Sequence, residues 1–137
     1  MKIFVDNDVI LDVLLDRKEF THSRILFTLI ENNQVKAYTS STIFTNSFYI
    51  ISKLQNKKKA WSALKKIRLL FKIGKVSQNT VDLALASDFN DFEDALQHYV
   101  ALDQNTNYII TRNKRDYLEA QIPTLTPQEF IALKWGL

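Results

Sequence analysis

Cysteine is absent from this 137-residue sequence, and glycine and proline occur only twice each. The lack of cysteine excludes disulfide bonds and thiolate metal ligands, and it is typical of proteins from the reducing cytoplasm. So few glycines and prolines predict short loops and no long linker. We therefore expect a single domain that covers residues 1–137.

Long apolar runs are also absent from the sequence. No stretch approaches the roughly 18 apolar residues that a membrane-spanning helix needs. The first residues lack the basic and apolar segments of a signal peptide. We therefore expect a cytoplasmic protein that does not enter a membrane.

Acidic residues are missing from the middle of the chain. No Asp or Glu lies between Glu31 and Asp82. Ten basic residues occupy this interval: Lys36, Lys53, Lys57, Lys58, Lys59, Lys65, Lys66, Arg68, Lys72 and Lys75. Such a separation of charge favours a polyanionic partner for the middle of the chain. A solvated basic helix face is the equally good alternative when charge is the only evidence.

Apolar periodicity predicts an alternation of strands and helices. Strands are predicted at residues 2–5, 35–39, 75–77 and 107–111, and helices at 9–15, 57–72, 81–86 and 91–102. Further helices are predicted from Thr21, from Ser40 or Ser41, and from Thr126. This alternation predicts an α/β fold with a central, mostly parallel sheet between two layers of helices.

Acidic and amide side chains follow the predicted strands. Asp6 ends the first strand, Asp91 and Asp94 open the helix in "DFNDFEDAL", and Asn113 and Asp116 follow the strand in "IITRNKRDY". Ligands of open parallel sheets bind beyond the carboxyl ends of the strands, so these residues form a candidate site. Converging carboxylates repel one another, and a shared cation relieves that repulsion.

Helix capping is the alternative explanation for most of these residues. Asp8 could be a plain N-cap, and Asp91 with Asp94 fits a cap followed by a first-turn acid. Asn113 and Asp116 have the same spacing. Capping does not explain Asp6, which stands directly after a buried strand.

The donor atoms indicate which metal the site would bind. Oxygen ligands without cysteine, and with only His22 and His98 in the chain, favour Mg²⁺ or Mn²⁺ over Zn²⁺. We expect His98 to be a partly exposed helix residue rather than a ligand. Hard cations held by carboxylates commonly support phosphodiester cleavage.

Four segments resemble the PIN-domain ribonucleases, the family that includes the VapC toxins of bacterial toxin–antitoxin pairs. They are "FVDNDVILDVLLDR", "STIFTNSFYIISK", "DFEDALQHYVA" and "YIITRNKRDY" followed by "IPTLTPQEF". The segments occur in the family's order and span nearly the whole chain. The resemblance implies a three-layer α/β/α PIN-like fold.

The resemblance also implies roles for individual residues. Asp6, Asp94 and Asp116 match the acids that hold Mg²⁺ or Mn²⁺ in the family. Asn46 stands where the family usually has Glu, and Asn113 stands where many relatives have Asp. The charge missing at Asn46 could be supplied by Asp8, Asp91 or Glu93. We include Asp91, together with Asn46 and Asn113, among the predicted catalytic residues.

The resulting prediction is a Mg²⁺- or Mn²⁺-dependent endoribonuclease, the toxin of a toxin–antitoxin pair. Its expected partners are RNA, a protein antitoxin and a second copy of the chain in a homodimer. The basic face formed by Lys58, Lys65, Lys66 and Lys72 is predicted to bind the RNA backbone by charge. Tyr49 and Trp61 are expected in the core.

Two alternatives stay open. The missing acid at Asn46 favours a catalytically weak or inactive PIN-like domain that binds RNA or a protein partner. A nuclease that acts on DNA or on flap structures is the other alternative. The small size of the chain argues against it.

Overall fold

Five short strands form the sheet at the centre of the molecule. The computed structural model of the protein describes residues 1–136. The strands are β1 (Lys2–Val5), β2 (Lys36–Ser40), β3 (Lys72–Gly74), β4 (Tyr108–Ile110) and β5 (Thr124–Leu125). Their order is β3-β2-β1-β4-β5, and every neighbouring pair in this part of the chain is parallel. The prediction of an α/β fold with a mostly parallel sheet is confirmed.

Seven α-helices within residues 1–136 flank the sheet and complete the three-layer α/β/α arrangement. They are α1 (Asn7–Leu14), α2 (Thr21–Glu31), α3 (Ser41–Leu54), α4 (Lys57–Leu70), α5 (Gln78–Leu85), α6 (Phe92–Asp103) and α7 (Pro127–Trp135). A short 3₁₀ helix covers Lys114–Tyr117. Helices α1 and α7 both pack against α2, whereas α6 packs against α5, β2 and β3. None of the helices in this range is long and apolar enough to cross a membrane.

Strand β1 lies in the middle of the sheet and is buried on both faces. Ile3, Phe4 and Val5 are each 0% exposed, as expected for a central strand of a covered parallel sheet. β1 pairs with β2 on one side and with β4 on the other. The strand order therefore reverses beside β1, and Asp6 follows β1 at this switch point, where ligands of such sheets bind.

The end of α4 differs from the prediction. The helix predicted over residues 57–72 ends at Leu70, because Phe71 is extended and only 1% exposed in the core. Lys72 is the first residue of β3 and pairs with Tyr38 of β2. The prediction that Lys72 shares the polar face of this helix with the other lysines is therefore wrong.

Strand β3 lies three residues earlier than the strand predicted over residues 75–77. A Cβ atom at Gly74 would lie 2.5 Å from Cγ1 of Val100, so only glycine allows β3 to lie this close to α6. The next helix begins at Gln78 behind Ser77, whose side chain accepts a hydrogen bond from Thr80 N.

The start of α7 agrees with its predicted capping signals. Thr126 Oγ1 accepts a hydrogen bond of 3.1 Å from Glu129 N, and Glu129 Oε1 accepts one of 2.9 Å from Thr126 N. Pro127 is the first residue of the helix. These local signals are enough to define the helix start, and that prediction is confirmed.

Candidate active site

Asp6 lies between β1 and α1, beside β4. Its N–H donates a hydrogen bond of 2.9 Å to the carbonyl oxygen of Ile110, the last residue of β4. Its carboxylate accepts hydrogen bonds from Asn7 N at 2.8 Å and from Thr111 Oγ1 at 3.0 Å. Asp6 is therefore the N-cap of α1. The inference that capping does not explain Asp6 is wrong, and so is the alternative that Asp8 is the N-cap. Burial, and then the charge of Asp8, raises the pKa of Asp6.

Asp8 connects the start of α1 with the loop after β4. Its Oδ1 accepts a hydrogen bond from Val9 N at 2.7 Å. Its Oδ2 accepts hydrogen bonds from Arg112 N at 3.0 Å and from Thr111 Oγ1 at 3.3 Å. These hydrogen bonds tie Asp8 to the loop after β4 and not to Asn46, where the charge is missing.

Asp94, in the first turn of α6, is surrounded by other carboxylates. Burial raises its pKa to about 7, and the charges of Asp6, Asp91, Asp116 and Glu93 act in the same direction. The structure thus brings acids from the end of β1, from α6 and from the 3₁₀ helix close enough for their charges to interact. Asp94 retains part of its proton at neutral pH.

Asp91 and Asn113 differ in their capping roles. Asp91 Oδ2 accepts a hydrogen bond of 3.0 Å from Asp94 N, so the capping interpretation of Asp91 is confirmed. Within residues 1–136 the Asn113 side chain makes no capping hydrogen bond, and the capping interpretation is wrong there. Asp116 is exposed, and its N–H donates a hydrogen bond to the Asn113 carbonyl oxygen at 3.0 Å.

A cleft opens beside these acids. Asp91, Asp94, Asp116 and Arg115 are among the residues that line it. A guanidinium group forms strong, paired hydrogen bonds with phosphate, whereas clustered carboxylates attract a cation. The cleft therefore offers complementary groups for a phosphate and a cation together.

The hydroxyl group of Tyr117 is buried beside this cluster. Tyr117 is 2% exposed, and its hydroxyl faces the Asp6 carboxylate. Burial, followed by the charges of Asp6 and Asp94, raises the pKa of Tyr117 well above its ordinary value. Buried polar groups are nearly always paired, and the Asp6 carboxylate is the acceptor that this hydroxyl faces.

Asn46 reaches the site from α3. Its Nδ2 donates a hydrogen bond of 2.6 Å to Oε1 of Glu93. The next residue, Ser47, donates a hydrogen bond of 2.8 Å to Oδ1 of Asn7 at the start of α1. Helix α3 is therefore linked to both α1 and α6, and Glu93 is the acid that contacts Asn46.

The donor set fits a hydrated divalent cation. No three Asp, Glu or His side chains within residues 1–136 form a group that could enclose one ion. Mg²⁺ does not need such a cage, since it commonly uses one or two carboxylates together with water and substrate phosphate. One or two of the carboxylates of Asp6, Asp94 and Asp116 would suit such an ion.

A second, fully buried acid organises the loop after β4. Asp12 is 0% exposed and accepts hydrogen bonds from Arg112 and from Ser23 Oγ, the latter at 2.9 Å. The Arg112 guanidinium also stacks on Phe20, with Cζ 3.8 Å from the ring centroid. Arg17 Nη1 lies 3.4 Å from Asp12 Oδ1. This network attaches the loop that carries Asn113 and Asp116 to helices α1 and α2.

The lysines predicted to bind RNA are all exposed, but they lie on two elements. Lys58, Lys65 and Lys66 belong to α4, whereas Lys72 belongs to β3. Lys66 also lines a groove between α4 and helices α1 and α2. RNA binding by these four residues stays a prediction.

Three other expectations about burial are wrong. Tyr49 and Trp61 are each 59% exposed, so they are not core residues. His98 is 0% exposed, and its Nε2 accepts a hydrogen bond of 2.9 Å from Gln121 N. Burial lowers the pKa of His98 to about 4. The imidazole is therefore a neutral core group at physiological pH.

Sequence analysis missed Thr111, Arg112, Arg115 and Tyr117. All four lie within the segment that follows β4, beside the residues that the sequence did identify. Because β4 is a central strand, its carboxyl end opens onto the switch point of the sheet. The position of these four residues directly after β4 is the feature of the sequence that could have identified them.

Comparisons with known proteins agree with this arrangement. A PIN domain family model matches residues 2–115. The ribonuclease VapC1 of Aquifex aeolicus (strain VF5) is 30% identical over 135 residues, which cover 94% of this chain and 92% of that protein.

Two solved structures share the fold. VapBC2 from Rickettsia felis, bound to a DNA fragment from its promoter, has a TM-score of 0.66 at 16% identity. A toxin–antitoxin complex from Klebsiella pneumoniae has a TM-score of 0.67 at 19% identity. Each similarity covers 91% of this chain and 97% of the other. Given the family match over most of its length and the acids gathered at the switch point of its sheet, the chain belongs to the PIN domain family.

Proposed function

We propose that this protein is a Mg²⁺- or Mn²⁺-dependent endoribonuclease, acting as a single PIN domain and as the toxin of a toxin–antitoxin pair. The observation that carries the proposal is the interaction of the Asp6, Asp94 and Asp116 charges at the switch point of the sheet. The similarity to a protein named ribonuclease VapC1 supports the choice of RNA.

The carboxylates of Asp6, Asp94 and Asp116 would hold the cation. When bound, the ion polarises the scissile phosphate and lowers the pKa of the attacking water. Asn7 N and Thr111 Oγ1 orient the Asp6 carboxylate by hydrogen bonds. Asp94 would have to lose its remaining proton to serve as a ligand, so binding of the cation would release protons.

The neighbouring side chains bind and orient the substrate. Arg115 lines the acidic cleft and is placed to hold a phosphate group of the RNA. Asn46 and Asn113 position water or phosphate. The buried Tyr117 hydroxyl lies beside the Asp6 carboxylate and helps to orient it.

The basic residues outside the cleft bind RNA without reading its sequence. Lys58, Lys65, Lys66 and Lys72 are exposed and are free to contact phosphate groups. Such contacts position the nucleic acid and make its affinity depend steeply on salt. Cleavage specificity therefore depends on the groups in the cleft rather than on these lysines.

We also propose a protein antitoxin, a homodimer and a cytoplasmic location. The solved relatives described above include a toxin–antitoxin complex, which supports the first. A groove lined by Val13, Phe27, Lys59, Lys66 and Glu31 combines apolar side chains with two positive charges and one negative charge. That surface suits an antitoxin segment with apolar and acidic residues. Sedimentation of the purified chain measures the expected dimer.

Asn46 favours one alternative function. An amide in place of a carboxylate removes a charge from the site, which suits a weak or inactive domain that binds RNA or a protein. This alternative predicts tight RNA binding with no cleavage, whereas the proposed function predicts both.

The test is cleavage of RNA by the purified protein. End-labelled single-stranded RNA and DNA of one sequence are incubated with the protein in Mn²⁺ or in chelator. We expect cleavage of the RNA alone, and only in Mn²⁺. Bound but intact RNA would favour the inactive domain, and cleavage of DNA alone would exclude a ribonuclease.

A further inference from the structure

We propose that Trp61 on α4 and Tyr49 on α3 stack with unpaired bases of the RNA substrate, on a surface formed by these two helices. This inference rests on the proposed function, since it assigns a second contact surface to the same substrate. Both side chains are 59% exposed. A single exposed apolar residue is ordinary on a protein surface. What distinguishes these two rings is their surroundings.

Three lysines surround Trp61 on the surface of α4. Lys57 and Lys58 lie four and three positions before it, and Lys65 lies four positions after it, which are the spacings of neighbours on a helix. All three are exposed, and none forms an ion pair within residues 1–136. An aromatic ring among cations suits single-stranded nucleic acid, because a base stacks on the ring while the cations contact phosphates.

The ring of Trp61 is held in place by α3. Its centroid lies 5.4 Å from that of Phe48, and the two rings meet edge to face at an angle of 76°. Phe48 in turn packs against the apolar cluster that contains Ile51 of α3 and Ala60 of α4. A ring that is already fixed loses little conformational entropy when a base stacks on it. Trp61 is therefore both exposed and pre-organised.

Tyr49 extends this surface towards the candidate active site. It lies one turn after Asn46 on the same side of α3, and Asn46 contacts Glu93, the neighbour of Asp94. Lys53 Nζ lies 4.6 Å from the centroid of the Tyr49 ring, so this ring also has a cation beside it. RNA that lies along this side of α3 therefore reaches the residues beside Asp94.

The charge of the two helices fits an RNA backbone. Together α3 and α4 carry seven basic residues and no acidic residue. Three of the lysines occupy the first turn of α4, residues 57–59, where the positive end of the helix dipole favours acidic residues instead. This arrangement costs stability in the free protein, and a bound polyanion relieves the cost.

The other possible occupants fit this surface less well. In a two-fold dimer the same patch meets its own copy, so the lysines of the two subunits would repel one another. The groove proposed for the antitoxin lies on the other side of α4. It is lined by Lys59, Ala63 and Lys66, whereas Trp61 and Lys65 are not among its residues.

The experiment follows the fluorescence of Trp61 while the full chain binds RNA in chelator, where the proposed metal-dependent cleavage does not proceed. Trp135→Phe leaves Trp61 as the only tryptophan and keeps an aromatic ring against Phe130. The probes are a short single-stranded RNA, a duplex RNA of the same length, and inorganic polyphosphate. A base stacked on the indole quenches its emission, whereas polyphosphate has no base.

We expect the single strand to quench Trp61 strongly. Duplex RNA and polyphosphate should bind with little quenching, because the bases of a duplex are stacked inside it and polyphosphate offers charge alone. This measurement keeps Trp61 in place, so it does not depend on the folding of a variant at this position.

Affinity for the single strand provides the second measurement. Trp61→Ala should weaken binding about tenfold, as expected for loss of one stacked base, and Trp61→Phe should weaken it less. Tyr49→Ala should act in the same direction as Trp61→Ala. Leu69→Ala is the matched control, because Leu69 is an 87% exposed apolar residue of α4 without a ring. It should leave the affinity nearly unchanged.

Two results would overturn the inference while leaving the proposed function intact. One is single-stranded RNA that binds without quenching Trp61, or that quenches it no more than polyphosphate does. The other is a Trp61→Ala variant that sediments as a monomer where the parent is a dimer, with Trp61 emission that responds to protein concentration and not to RNA. Strong quenching in a protein that cleaves no RNA in Mn²⁺ would support this inference and overturn the proposed function.

Discussion

The guanidinium of Arg112 donates two hydrogen bonds to the buried carboxylate of Asp12. Nε donates to Oδ2 at 2.8 Å, and Nη2 donates to Oδ1 at 3.0 Å. The N–H of the same arginine donates to Asp8 at 3.0 Å. One residue of the loop after β4 therefore binds two acids of α1, and the loop that carries Asp116 is held beside Asp6.

We expect Asp12→Asn to lower the free energy of unfolding by about 3 kcal/mol, because it leaves the Arg112 guanidinium without its charged partner. Denaturation by urea measures this change. The matched control is Asp16→Asn, which breaks an exposed ion pair of 3.3 Å with Arg24 and should cost less than about 1 kcal/mol. Equal losses in the two variants would show that the buried pair contributes no more than the exposed one.

We expect Asp6→Asn to abolish RNA cleavage and to leave the protein folded. Residues that only support metal ligands affect activity by about 10- to 100-fold, so loss of the acid itself should cost at least about 100-fold. The substitution also removes repulsion from Asp8, so stability in chelator should not fall. Cleavage rates in Mn²⁺ and circular dichroism check both statements. A variant with most of its activity would exclude Asp6 from the site.

Asp94 makes the stability of the metal-free protein depend on pH. Its pKa is about 7 in the folded protein against an ordinary value of 3.8, so the folded state binds more protons between these values. The free energy of unfolding should therefore fall as the pH rises from about 4 to about 7. His98, with a folded pKa of about 4 against 6.5, acts in the opposite direction, since it destabilises the protein as the pH falls.

Asp6, whose pKa is also raised to about 7, acts in the same direction as Asp94. Asp94→Asn removes the Asp94 contribution and leaves those of Asp6 and His98. In chelator at pH 8 the variant should be as stable as the parent or more stable, by about 1 kcal/mol. At pH 5 the difference should be smaller. Excess Mn²⁺ should raise the melting temperature of the parent and leave that of the variant nearly unchanged, because a ligand stabilises only the state that binds it. Destabilisation in chelator with an unchanged response to Mn²⁺ would make Asp94 a helix-terminal acid rather than a ligand.

Replacing Lys58, Lys65 and Lys66 with Glu should weaken RNA binding much more than folding. The three side chains are exposed on α4, so the core of the protein should be unaffected. Loss of three phosphate contacts should reduce the slope of log affinity against log salt by about 2 for single-stranded RNA. Fluorescence anisotropy across a salt series measures the slope.

The control for this prediction makes the same change in net charge at three lysines outside α4. Lys18, Lys36 and Lys134 are also exposed, and none lies on α4. Their replacement with Glu should reduce affinity by long-range charge alone and should leave most of the salt slope. An equal loss of slope in both triple variants would show that the α4 face has no special role.

Some elements could be predicted because their signals are local. The buried strand β1 follows from the apolar run Ile3–Val5, and the start of α7 follows from its capping residues. The end of α4 could not be predicted, since its apolar spacing continues into Phe71. What stops that helix is tertiary: Phe71 enters the core and Lys72 pairs with Tyr38.

Some residues of the candidate site could likewise be predicted from local sequence, whereas others could not. Asp6 and Asp116 follow strands and could be identified from that position alone. The role of Asp12 depends on a partner 100 positions away, and the contact of Glu93 depends on how α3 crosses α6. Such contacts are properties of the assembled fold, so no local pattern indicates them.

The parallel pairing of β1 with β4 sets the time at which a newly made chain can become active. It brings Lys2 to Asn107, 105 positions later. At the usual speed of translation, these residues take about 5 to 20 s to synthesise. During that interval Asp6 has been made, but Thr111 and Asp116 have not. Strand β1 therefore stays unpaired on this side until β4 has been made, and the acids of the proposed site can meet only after that.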